Sequence, residues 1–235
     1  MKRRWVKVLV ITLVVLAVLF TIADRVSLHY ANKEVARLAE QKYGYANSTD
    51  GHMDVSIEGF PFLTQAFSQD FDHVRLTAGQ FLIDTTTNAQ GGYLHVKELV
   101  LDLRHVRVTS LTARSAEADL ATGSLTLSYE ELSGVLTRLA GGPLHVSQAP
   151  GSAGQAARLK VTGTINGQQV NGTGTLLAQG NELSLTAPGA ERPAAGWRVL
   201  LPENTGFTEA RSTAEGVRIT MVGHLVNLGS SRFER

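Results

Sequence analysis

The period of the apolar positions changes twice along the chain. Residues 8–23 carry no charged side chain and consist mainly of Val, Leu and Ile, the pattern of a membrane-targeting helix. From residue 24 to about 42, Val26, Tyr30, Ala31, Val35, Leu38 and Ala39 recur at three and four, with Lys33, Glu34, Arg37, Glu40 and Lys42 between them. That spacing predicts an amphipathic helix, continuous with the apolar run or hinged to it, ended by the Asn-, Ser- and Gly-rich stretch 43–51. Beyond it the period falls to two. Strands are predicted at 73–77, 94–108, 111–120, 123–127, 197–201 and 216–222.

Three local features refine this pattern. Leu99, Leu101 and Leu103 alternate, but Val106 and Val108 continue on the other parity, which predicts a bulge or bend near Arg104 and His105. Ser128 and Glu131 are spaced as a capping box ahead of the stripe Leu132, Val135, Leu136 and Leu139, so a helix follows and Gly141-Gly142-Pro143 stops it. A meander then carries Val161, Gly163 and Ile165, a turn at Asn166-Gly167, and Val170, Gly172, Gly174 and Leu176 on one face. Its glycines leave room for close approach by a ligand or by another protein element.

The segment 55–65, Val-Ser-Ile-Glu-Gly-Phe-Pro-Phe-Leu-Thr-Gln, is the most unusual stretch. Val55 and Ile57 read as a half-buried strand, Gly59 and Pro61 as a turn, and Phe60, Phe62 and Leu63 place large apolar surface where loops ordinarily carry polar residues. Phe67 and Phe71 follow one helical turn apart, so a short helix from 64 to 71 would present both from one face. The five residues Phe60, Phe62, Leu63, Phe67 and Phe71 either plug a core or line a pocket for an apolar ligand.

The ends and the charge set the setting. Lys2, Arg3, Arg4 and Lys7 precede the apolar run, which places the N-terminus in the cytoplasm and everything after residue 23 outside it. Residues 1–23 thus read as a single-pass anchor in the cell membrane. The alternative is a signal sequence cleaved after Thr21-Ile22-Ala23, giving a secreted protein. Residues 24–228 form a single extracytoplasmic domain, with 229–235 a frayed tail. Setting aside those four cations leaves 18 Lys and Arg against 21 Asp and Glu, about −3 for the exported part, which argues against nucleic acid as a partner. The chain has no Cys, and cysteine usage therefore does not locate it.

Catalytic patterns are lacking. The seven His residues show no helical pair at metal-ligand spacing, no Ser occupies a nucleophile elbow, and no Gly-rich phosphate loop precedes a helix, so no metal, cofactor or catalytic residue is expected. Asp72 with His73, and Asp102 with His105, are the nearest approaches to acid/base pairs, and as strand-surface pairs they read as structural.

Residues 55–65, followed by Val74-Arg-Leu-Thr-Ala78, resemble the start of the LmeA-like phospholipid-binding family, relatives of an exported lipomannan elongation factor. The helix over 24–40, the step Leu125-Thr-Leu-Ser-Tyr-Glu-Glu-Leu132 and the segment Arg158-Leu-Lys-Val-Thr-Gly-Thr164 are similar to that family's order. The chain departs from it at Gln69-Asp70, where the family pattern has a Gly. The resemblance implies an α+β, tubular-lipid-binding-like fold, in which a strongly curved antiparallel sheet wraps a long helix around an apolar tunnel for acyl chains. It further implies phospholipid as ligand, the cytoplasmic membrane as setting, and a role in envelope lipid or lipoglycan metabolism, with an envelope glycolipid-synthesis enzyme as candidate partner. Burying an acyl chain yields about 0.8 kcal/mol per CH₂, on the order of 12 kcal/mol gross for sixteen carbons, so a slightly acidic domain can bind phospholipid without a basic patch. A scaffold with a filled core is the alternative, and an esterase or glycan-processing enzyme has no convergent Ser, His and acid to support it.

Overall fold

The computed structural model describes residues 2–42, 52–83, 94–110, 112, 115–151, 154–165, 167–190, 192–199 and 201–228. The stretch expected to end the first helix (43–51), Asn166 of the expected turn and the expected frayed tail lie outside the described residues. The elements begin with α1 (Lys2–Lys42), β1 (His52–Glu58), α2 (Phe62–Ser68), β2 (Asp70–Ile83), β3 (Leu94–Ser110) and β4 (Ser115–Leu127). Then come α3 (Tyr129–Ala140), β5 (Leu144–Gln148), β6 (Ala156–Ile165), β7 (Gln168–Gln179), β8 (Glu182–Thr186), β9 (Ala195–Arg198), β10 (Thr205–Thr213) and β11 (Gly216–Leu228).

No Gly or Pro falls between Lys2 and Lys42, and α1 runs unbroken across the boundary between its apolar and amphipathic parts. One window of this helix, near the N-terminus, has a mean hydropathy of 2.1 and is long and apolar enough to cross a membrane. Ile11, Leu13, Leu16, Leu19 and Ile22 are all exposed, so no protein element covers that part. The packing stripe comes later, at the partly buried Ser27, Leu28, Ala31, Asn32 and Ala36.

The strands form two antiparallel sheets, one of six strands in the order β1-β2-β3-β4-β11-β10 and one of five in the order β5-β6-β7-β8-β9. The fold is α+β, but the sheet does not wrap the long helix. Instead α1 lies along the free edge of β1, where Asn32 Oδ1 accepts a hydrogen bond from the Ile57 N–H at 3.1 Å. The stripe of mostly small side chains is too narrow to fill a barrel, yet it suffices to cover an edge. Neither sheet closes. The opposite edge, β10, is stitched to the second sheet by Phe207 N–H to Gly180 O at 2.6 Å and Ala210 N–H to Gly154 O at 3.0 Å.

The six-stranded sheet has one apolar face and one polar face. Cross-strand partners on the apolar face include Ile57, Val74, Leu103 and Ala121, then Val55, Leu76, Leu101, Gly123 and Met221, then Met53, Ala78, Leu99, Leu125 and Ile219. The expected change of parity near residue 104 is present. Leu103 and Val106 both face inward, with Arg104 and His105 exposed between them, and the register with β4 runs on unshifted. No residue is inserted, so this is a bend rather than a bulge. His105 takes φ 49° and Leu225, near it across β4, takes φ 51°, and these left-handed residues turn the strands without breaking the apolar face. Ala118 and Ala121 show the same skip on β4, and the strand there is continuous where two were expected.

Two separate buried clusters sit on this face. The larger joins Leu125, Leu127, Ile219 and Phe207 to α3 and to the inner side of the second sheet, including Leu159, Leu176, Leu183 and Trp197. The smaller, at the other end of the long strands, holds Leu103, Val106, Ala118, Ala121 and Val226. Only half of the expected capping box forms. Ser128 Oγ accepts from the Glu131 N–H at 3.1 Å, while Glu131 Oε1 turns to the His95 N–H at 3.4 Å, which ties α3 to the start of β3.

Candidate functional site

The apolar turn and α2 form a joint with the first helix. Asp24, the first charged residue after the apolar run, is fully buried, and its Oδ1 accepts from the Leu63 N–H at 2.8 Å. The first amides of a helix lack partners within it, and Pro61 at the N-cap has no side-chain acceptor, so Asp24 supplies from α1 what a capping residue would. Gln65, buried despite its polarity, ties the other side: Nε2 donates to Glu58 O at 3.5 Å and Oε1 accepts from Asp72 N–H at 2.9 Å. Gly59 sits at φ +108°, a conformation that favours glycine, and a Cβ there would lie 2.5 Å from the Gln65 amide nitrogen and push that side chain from its place.

The expected helix from 64 to 71 ends early. Gln69 adopts φ 57° as C-cap and starts the chain into β2, so Phe71 belongs to a strand and Phe67 to a helix, and they do not share a face. Gln69 therefore takes, without glycine, the left-handed conformation that a Gly would adopt easily.

The five aromatic and aliphatic candidates consequently separate. Phe62 is buried (6% exposed), and its ring stacks on partly buried Phe71 with centroids 6.3 Å apart. Leu63 is partly buried beside them. Phe60 is 56% exposed with the Arg25 guanidinium 5.1 Å from its ring centroid, and Phe67 is 94% exposed. Phe62 and Phe71 extend the apolar face of the sheet past its smaller cluster, whereas Phe60 and Phe67 point away from it.

Between the two buried clusters the apolar face continues with partly exposed side chains. Leu76, Leu99 and Leu101 lie side by side on β2 and β3, and Leu76 packs into neither cluster. Next to them Gly123 offers no side chain, and Leu101 and Met221 lean over it, with Leu101 Cδ2 2.6 Å from where a Cβ would stand. Adjacent large aliphatic residues left partly open make a ready apolar floor for a ligand. Alternation reveals that these residues face inward; it does not reveal that they stay partly exposed. Asp24, Asn32 and Gln65, which set the joint, each have a polar or charged chain neighbour (Arg25, Lys33, Thr64), so nothing in the sequence singles them out.

The polar face carries a cluster of titratable groups around His73 and Asp102. His73 lies between two carboxylates, Nδ1 2.8 Å from Glu58 Oε2 and Nε2 2.6 Å from Asp102 Oδ1, so its acid partners are these and not Asp72. Arg75 reaches Asp102 Oδ2 at 3.0 Å and Glu58 Oε1 at 3.6 Å, and Arg104 reaches Asp102 Oδ1 at 3.3 Å. Partial burial pushes the Asp102 carboxyl up, but the Arg75 hydrogen bond, His73 and Arg104 outweigh it, and the group lies below the usual carboxylate range. Across the molecule the Tyr129 phenol is pushed up by burial, against hydrogen bonds to Ser212 Oγ and Thr213 O, both at 2.6 Å. Neither group opens onto the apolar floor, and no cluster of three or more potential metal ligands occurs among the described residues.

Comparison with curated proteins and with solved structures gives no match. Residues 22–222, from the end of the apolar run to the middle of the last strand, match the family described as LmeA-like phospholipid-binding, and the chain belongs to that family.

Proposed function

We propose that the protein is a membrane-tethered, non-enzymatic phospholipid carrier or presenter of the cell envelope, holding acyl chains on the open part of its apolar sheet face. The observation that carries this is the partly exposed row Leu76, Leu99 and Leu101 between two buried clusters, with Leu99 and Leu101 packed against the margin of the larger one and Leu76 in neither. Exposed aliphatic surface costs free energy in water at roughly 25 cal/mol per Å², and an acyl chain laid along it removes that surface together with its own. Beyond the smaller cluster, Phe62 and Phe71 continue the apolar face toward α2. Membership of a phospholipid-binding family supports phospholipid as the ligand class, and the start of α1 is long and apolar enough for a membrane anchor or signal sequence. Retention of that helix, an extracytoplasmic domain and service to lipoglycan synthesis complete the proposal.

The test is to purify the full chain from membranes in mild detergent, extract it with organic solvent and quantify phospholipid per protein by mass spectrometry. Stoichiometric phospholipid that survives extensive detergent exchange is expected. Protein that is folded yet carries none, and takes none from phospholipid vesicles, would sink the proposal and leave a scaffold with a filled core.

A further inference from the structure

We propose that α2 and the turn before it form a foot that seats the domain on the bilayer surface, with the rings of Phe60 and Phe67 in the headgroup layer. The inference rests on the membrane-anchored reading of residues 8–23. The uncharged run ends at Ala23, and the next residue, Asp24, is hydrogen-bonded to the Leu63 amide. α2 is therefore pinned at the level where α1 leaves the hydrocarbon. On the inner side of α2, Phe62 and Gln65 are buried; on the outer side Phe67 is 94% exposed, with Phe60 beside the joint at 56%. The polar interfacial layer is roughly 5 to 7 Å deep on each side of the hydrocarbon, about the reach of an aromatic side chain from a helix lying at that level.

The chemistry of the segment fits this occupant. The seven residues of α2, Phe-Leu-Thr-Gln-Ala-Phe-Ser, carry no charge, so nothing on the foot opposes burial among headgroups. Arg25 stands at the same level, its guanidinium over the Phe60 ring and its Nε 3.9 Å from Asp24 Oδ2, and its side chain is half exposed, within reach of a lipid phosphate. An almost fully exposed Phe on a charge-free helix is costly in water and stable at a membrane interface. With the foot on the bilayer, Asn32 stands about 12 Å further along α1 at the end of β1, so the smaller cluster is the membrane-proximal end of the apolar face. The open row Leu76, Leu99 and Leu101 then lies directly beyond it.

The absence of Cys makes the test clean. A Thr64→Cys reporter on exposed α2 surface, labelled with an environment-sensitive fluorophore, is placed in the full chain reconstituted in phosphatidylcholine and phosphatidylglycerol vesicles. A Thr173→Cys reporter on β7 serves as the distant control. Quenching of the position-64 label by lipids spin-labelled near the headgroup is expected, and Phe60→Ser with Phe67→Ser should reduce it to the level of position 173. Flotation of the same samples separates the two readings. Protein that fails to float with vesicles defeats the anchor itself. Protein that floats while the position-64 label remains unquenched defeats the foot alone, and shielding of that label from aqueous iodide without lipid quenching would instead assign the patch to a second protein copy.

Discussion

The hydrogen bond from Leu63 to Asp24 holds the domain to its helix, and Asp24→Ala tests that directly. In the folded chain Asp24 is fully buried, Oδ1 accepts from Leu63 N–H at 2.8 Å, and Oδ2 has only the Arg25 Nε at 3.9 Å. Removing the carboxylate leaves the Leu63 amide without an acceptor at the start of α2. A hydrogen bond to a charged group contributes about 1.5 to 3 kcal/mol, and the second, poorly compensated carboxylate oxygen lowers the net figure toward about 1 to 2. At about 1.4 kcal/mol per factor of ten, exchange of the Leu63 amide with deuterium should accelerate by roughly tenfold. Asp24→Asn keeps an acceptor in place and should lie much closer to the parent. Peptide-level hydrogen exchange on the full chain in detergent reads both variants, with the α3 peptide as an internal control. Equal protection of Leu63 in parent and Asp24→Ala would refute the joint, and acceleration spread over α3 as well would mean that the substitution unfolds the domain rather than releasing α2.

Three further outcomes follow from the same geometry. At Gln69, φ 57° favours glycine, so Gln69→Gly should be at least as stable as the parent and Gln69→Val lower by about 1 kcal/mol in denaturant unfolding; the reverse order would place the helix end elsewhere. Gly174 has the Thr186 carbonyl oxygen 2.7 Å from where a Cβ would stand, so Gly174→Ala should cost about 1 to 3 kcal/mol, and a neutral substitution would mean that the sheet gives way there. The folded-state pKa of Asp102 is depressed below its ordinary value of 3.8, so its contribution is present above that value and is lost as pH falls through the lower folded one. Asp102→Asn should therefore lower stability at neutral pH and flatten the acid limb below about pH 4; curves that stay parallel down that limb would remove Asp102 from the account.

Much of this architecture is legible in the chain because the determining signals are local. Alternation marks β1 and β3, and the skip from Leu103 to Val106 marks the bend at His105. Ser128 marks the start of α3. Gly172 and Gly174 mark close approach, and the structure shows that their neighbours are Pro188 and Thr186, protein rather than ligand. What escapes is non-local or disguised. β10 hides because a register shift between Phe207 and Glu209 puts its inward residues, Phe207 and Ala210, three apart, so no alternation appears. The early end of α2 depends on Gln69 taking a conformation its side chain disfavours, and the separation of Phe67 from Phe71 follows from that one residue. The joint between Asp24 and Leu63 spans 39 positions and leaves no periodic trace.

The open part of the apolar face also has the right length. From Leu99 to Leu103, at the margin of the smaller cluster, the strand advances roughly 13 Å, close to the about 15 Å of an acyl chain filling one leaflet, half of a 30 Å hydrocarbon core. A lipid lying along β3 would cover Leu99 and Leu101 and reach Leu103 at the margin of the smaller cluster. That predicts a difference between two leucines on the same face. Leu101 is partly exposed and packs only at the margin of the larger cluster, so Leu101→Asn should cost about 1 to 2 kcal/mol while cutting bound phospholipid. Leu125 is 1% exposed inside the larger cluster, and Leu125→Asn should cost several kcal/mol through an unsatisfied buried amide and lost packing, about 3 or more. Phospholipid per folded molecule, measured by mass spectrometry after gel filtration, should fall for Leu101→Asn and hold for whatever fraction of Leu125→Asn remains folded. The opposite outcome, with Leu101→Asn fully loaded and strongly destabilised, would make the row between the clusters part of the core and move the acyl chain elsewhere.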